Sequence, residues 1–138
     1  MKTNNEYKMF IKKSELCNAV FLMNKDVDLV AIINKNGRVV ESKFAKDTDL
    51  SRLSDSKLEM IAMQRSLQTT MMKEFDQNPS PFHQTIAMRE SYVEFICNFD
   101  EEVLLVIFNV NVDVKQFSTN ISSLVSRFQV PTSNVMVE

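Results

Sequence analysis

The sequence predicts an α+β domain: one five-stranded antiparallel sheet with helices on both faces, in the order α-β-β-α-β-β-β-α. Three observations carry this. Two apolar, β-branched runs flank Asn36-Gly37, a strong hairpin signal. Three further strand-like runs at 82–89, 92–99 and 103–108 are joined by tight turns and form a meander. Apolar residues at helical spacing precede, separate and follow these strands.

The first helix spans 6–24, with Phe10, Leu16, Cys17, Val20 and Phe21 on a rough helical period. The run Leu29-Val30-Ala31-Ile32-Ile33 is apolar on both faces and predicts a strand covered on both sides. Asn36-Gly37 is read as the centre of a type I′ turn, where glycine best tolerates positive φ. Arg38-Val39-Val40 opens the second strand. Residues 47–54 form a polar loop. Ser56 and Glu59 match a capping box for a helix reaching Asp76, which stops before Asn78-Pro79-Ser80-Pro81. Residues 82–89 alternate, with Phe82, Gln84, Ile86 and Met88 on one face and His83, Thr85, Ala87 and Arg89 on the other. Val93, Phe95, Cys97 and Phe99 share a face of the next strand, and Asp100-Glu101-Glu102 is the following turn. Residues 103–108 are uniformly apolar, as in a central strand. Asp113 caps a last helix whose stripe is Val114, Phe117, Ile121, Leu124, Val125 and Phe128, with Pro131 just beyond.

A chain of 138 residues, 44% hydrophobic and 25% charged, has the composition of one globular domain. The expected boundaries are an N-terminal arm at 1–6, a single domain at 7–129 and a tail at 130–138. One glycine argues against Gly-rich phosphate loops, and one histidine excludes any site needing two. Cys17 and Cys97 are too few for a structural zinc site or a disulfide framework, and both are expected to be reduced and packed. A net charge of -2 predicts no general affinity for nucleic acid or anionic membrane. No run approaches the roughly 20 apolar residues of a membrane span, and no signal-peptide pattern precedes the domain. The expectation is a cytoplasmic protein with no cofactor, no metal and no catalytic residue.

The residues capable of chemistry have plainer readings. His83 could pair with a thiol or hydroxyl, but reads as a solvated strand residue. Asp47 and Asp49 lack the glycine and terminal glutamate of a calcium loop, and Asp100-Glu101-Glu102 reads as a solvated turn. The four lysines at 8, 12, 13 and 25 are ordinary surface chemistry. The methionines of the middle helix read equally as core filler or as interface. The case for interface is width: Leu58, Ile61 and Met72 lie off the stripe of Met60, Met63, Leu67 and Met71, leaving more apolar surface than one sheet contact needs. The strand at 82–89 should lie at a sheet edge, a template for pairing with another chain.

In this order of elements the chain resembles the roadblock/LC7 fold, close to the longin and profilin-like folds, over roughly residues 7–129. Ala31-Ile32-Ile33-Asn34-Lys35-Asn36-Gly37-Arg38-Val39-Val40 looks like the roadblock first hairpin, and Leu104-Leu105-Val106-Ile107 like its fifth strand. The helix around Gln64-Arg65-Ser66-Leu67 and the acidic turn before the fifth strand are similar to a group of archaeal roadblock-like proteins. The small residues usual before the first strand are replaced by Val27-Asp28-Leu29. The resemblance implies a non-catalytic homodimeric scaffold or regulator, dimerising through the middle helix and third strand, with a small GTPase as the partner by fold analogy. The implied interface is Met60, Met63, Leu67, Met71, Phe82, Ile86 and Met88. The alternative is a profilin- or PAS-like ligand-sensing module, which requires an enclosed pocket between sheet and helix.

Overall fold

The computed structural model describes residues 4–46, 55–73, 84–90, 92–99, 101–108 and 113–128. The elements follow in the expected order: α1 (Asn4–Met23), β1 (Val27–Ile33), β2 (Val39–Phe44), α2 (Asp55–Lys73), β3 (Gln84–Met88), β4 (Val93–Phe99), β5 (Glu102–Phe108) and α3 (Val114–Phe128). The strands form one antiparallel sheet in the order β2-β1-β5-β4-β3. The hairpin and the meander are joined by β1 pairing with β5, with Val30 opposite Val106 and Ile32 opposite Leu104. The two strands without a polar face therefore sit at the centre, where both faces are covered.

Alternation along these strands divides the core into two layers. On one face Val30, Ile32, Phe95, Cys97, Leu104, Val106 and Phe108 pack against Leu16, Cys17 and Val20 of α1 and Phe117, Ile121, Leu124 and Val125 of α3. Phe117 meets Phe95 edge-on at 5.5 Å and Phe108 at 4.9 Å. On the other face Leu29, Ala31, Ile33, Ile96, Val103, Leu105 and Ile107 pack against Ala62, with Leu58 and Ile61 of α2 partly buried beside them.

Local chemistry explains the joints. Asp113 caps α3 as expected: its Oδ1 accepts the Gln116 N–H at 3.1 Å and its carbonyl accepts the Phe117 N–H. The β1–β2 turn differs from the two-residue form expected. The Gly37 N–H donates to the Asn34 carbonyl, and the Asn34 N–H donates to the Arg38 carbonyl. This makes a three-residue loop with Gly37 at its left-handed position, φ +80°. Asn34 Oδ1 accepts from the N–H groups of Asn36 and Arg38, so the side chain before the loop shapes it. The α2 helix begins at Asp55, which places Ser56 inside its first turn and not before it. Glu102 is not a solvated turn residue: it opens β5 and accepts from Lys13 Nζ at 2.7 Å, tying β5 to α1. The 47–54 loop, Asp100, the proline cluster, His83 and the tail lie outside the described residues.

Candidate functional site

The α2 helix turns its more apolar side away from the sheet. Among its described side chains the buried ones are Ala62 and Ser66, both small. The stripe lies outward, with Met60 59%, Met63 59%, Leu67 61% and Met71 52% exposed. The off-stripe residues Leu58 and Ile61 contact the core instead. Between Met60 and Met72 the only charged residue is Arg65, and it points inward. From Met60 to Met72 the outer face of α2 therefore carries methionine, leucine, glutamine and threonine and no charge, with the exposed Lys57 one turn before it. Gln64, Leu67, Gln68, Met71 and Met72 line an open, apolar groove of about 400 Å³ along it.

The sheet edge beside this helix is β3. Thr85 and Ala87 point to the face that α2 covers, and the Thr85 hydroxyl lies 3.9 Å from Met72 Sδ. Ile86 and Met88 pair with Phe95 and Val93, and so point to the α1–α3 face. Helix coverage there ends short of them, leaving Ile86 39% and Met88 70% exposed. Of the seven interface residues expected, Met60, Met63, Leu67 and Met71 form one continuous stripe. Ile86 and Met88 form a second patch across the β3 edge, on the opposite side of the sheet. Phe82 lies outside the described residues. At the other end of β3, Gln84 is held by α3: its amide donates to Ser122 Oγ and its carbonyl accepts from Ser118 Oγ.

Behind the stripe lies a charge cluster that the sequence reading passed over. Arg65 donates two hydrogen bonds to Glu94 of β4, Nε to Oε1 at 2.7 Å and Nη2 to Oε2 at 2.9 Å. Glu94 is 1% exposed. Arg89, half exposed, adds a third bond at 3.3 Å. The bond to Glu94 raises the Arg65 guanidinium above its ordinary value. A forked contact of this kind is strong and angularly demanding, and removing one partner alone costs about 3–5 kcal/mol. The available signal was a lone arginine in an otherwise uncharged helical stretch, and a glutamate in a strand between Val93 and Phe95.

The thiols are structural. Burial, with a smaller contribution from Glu41, pushes the Cys17 thiol up to about 12, and burial raises Cys97 further. Cys17 Sγ lies 3.6 Å from the Val30 carbonyl. Among the described residues no group of three His, Cys, Asp or Glu side chains converges on a metal-sized site, and no helix is long and apolar enough to cross a membrane.

No protein-family model matches the sequence, and no curated protein matches it. Solved structures do. The roadblock/LC7 domain from Streptomyces avermitilis is similar with a TM-score of 0.64 at 13% identity, over 83% of this chain and 92% of that one. The gliding protein MglB from Thermus thermophilus gives 0.61 at 15% identity, over 93% of each chain. An MglB structure described as having a tetrameric arrangement gives the same values. These likenesses show the fold: the chain forms a roadblock/LC7-like domain.

Proposed function

We propose that this roadblock/LC7-like domain is a non-catalytic, cytoplasmic scaffold or regulator that homodimerises through the outer face of α2 and the free edge of β3. One observation carries the reading: the larger apolar side of α2 lies in solvent and has no charge from Met60 to Met72. Contiguous apolar surface of this kind marks contact sites in proteins that are otherwise well packed. The lack of charge favours a second copy. A two-fold contact sets the patch against its own copy, and residues near the axis meet their symmetry mates, where a charge would meet its like. Methionine suits the role because its unbranched side chain adapts to the opposing surface. The β3 edge extends the contact, since its outer N–H and C=O groups can continue the sheet into a second chain. The assembled pair would present a protein-binding surface, with a small GTPase as the partner by analogy of fold. The sensor alternative draws no support from the groove, which is open and, among the described residues, lined by α2 and not enclosed between helix and sheet.

The test is size-exclusion chromatography with light scattering on the wild type and on Leu67→Asp. The expected result is a wild-type dimer and a folded monomeric variant. A wild type that stays monomeric at tens of micromolar (about ten times a typical weak dimer's dissociation constant) overturns the reading.

A further inference from the structure

We infer that the Arg65–Glu94 ion pair decides which face α2 turns to the sheet, and so keeps the methionine stripe outward. This rests on the reading of that stripe as a contact surface. It goes beyond that reading by assigning two positioning residues that never touch the partner.

The helix is apolar on two sides. At 3.6 residues per turn, Met60, Met63, Leu67 and Met71 lie nearly opposite Leu58, Ala62 and Thr69. Hydrophobic burial alone favours the reverse of what is seen. The outward side carries three methionines and a leucine, whereas the inward side buries alanine and serine and only partly buries Leu58 and Ile61. A roll of about half a turn would set the stripe on Ile96, Leu105 and Ile107 and turn Leu58 and Ala62 outward, a smaller apolar surface than the one it buries.

What opposes the roll is charge. Arg65 is the one charged side chain between Met60 and Met72. It meets Glu94 through two donors, in a geometry that tolerates little rotation. Glu94 stands on the α2 face of β4, opposite Ile107 and two residues from Ile96. A rolled helix would carry Arg65 to solvent and press apolar side chains onto a carboxylate held by Arg89 alone, through a single 3.3 Å bond. A buried ion pair contributes little net stability against an apolar pair of similar volume, but it strongly penalises arrangements that separate its members. Here the separated arrangement is the one that hides the interface.

The experiment replaces both charges together, in Arg65→Met/Glu94→Leu, and removes only the fork in Arg65→Lys. Methionine oxidation by hydrogen peroxide is followed residue by residue by peptide mass spectrometry, at a dilution where light scattering shows monomer. Met88, on β3 and 70% exposed, is the internal reference. In the double variant, Met60, Met63 and Met71 are expected to oxidise about tenfold more slowly than in the wild type, with Met88 unchanged, and dimerisation is lost. Arg65→Lys is expected to fall between the two. A folded double variant that oxidises and dimerises as the wild type does overturns the inference. So does loss of cooperative unfolding in both variants, since the pair would then hold the fold and not choose a face. A wild type that never dimerises removes the contact reading, but the oxidation pattern still decides this one.

Discussion

Gly37 shows how far a single residue can be read from its neighbours. Asn-Gly between two apolar runs announced the turn, but Asn34, not Asn36, bonds the loop's N–H groups, and the loop is one residue longer than expected. The reason glycine is needed is also partly remote. A Cβ at Gly37 would lie 3.1 Å from Met63 Cγ and 3.2 Å from its Cα, so the turn sits directly against α2. Gly37→Ala is therefore expected to destabilise by about 1–2 kcal/mol from positive φ alone, and further by displacing α2. Urea denaturation with an unchanged slope and a lower midpoint would show it. The two thiols act in the opposite direction, as quiet core residues. Their folded values lie above the ordinary 9.0, so the folded state keeps protons that the unfolded state loses. Their contribution is complete below pH 9 and falls as pH rises from there towards about 12 for Cys17. The slope is about 1.4 kcal/mol per pH unit per thiol. Stability measured at stepped alkaline pH is expected to fall less steeply in Cys97→Ala than in the wild type.

Among the elements, α3 was legible throughout and β3 only in part. In α3 one narrow stripe faces one layer, and Phe117, Ile121, Leu124 and Val125 are all buried. Phe117 locks that layer through its contacts with Phe95 and Phe108. Phe117→Ala is expected to cost about 3–5 kcal/mol, read as a lowered thermal midpoint. Alternation in β3 told which residues share a face but not which face the helices reach. Thr85 and Ala87, the more polar set, lie under α2, and Ile86 and Met88 are left exposed. For α2 the sequence showed an apolar surface too wide for one contact. It could not show which side faces the sheet, because both sides are apolar and the deciding partner, Glu94, lies 29 residues away along the chain.

At the scale of the whole molecule, the proposed association through α2 makes stability depend on concentration. Mass action favours the folded protomer as that dimer forms. The thermal midpoint of the wild type is expected to rise with protein concentration, and that of Leu67→Asp to stay constant. Equal slopes in differential scanning fluorimetry would argue against association through α2. Met88→Glu separates the two exposed patches, since its position is on the far side of the sheet from the stripe. It is expected to weaken the dimer less than Leu67→Asp does.

The order of elements, the central place of the two all-apolar strands, the α3 cap and the buried thiols are legible in the sequence because each depends on local spacing. Periodicity of 2 or 3.6 states which residues move together, and a strand without a polar face has to be covered on both sides. The orientation of α2, the sheet face on which Ile86 and Met88 lie, the Glu102–Lys13 tie and the Arg65–Glu94 fork were decided only by the tertiary structure. Each depends on which distant element stands opposite, and a side chain's own neighbours in sequence do not carry that information.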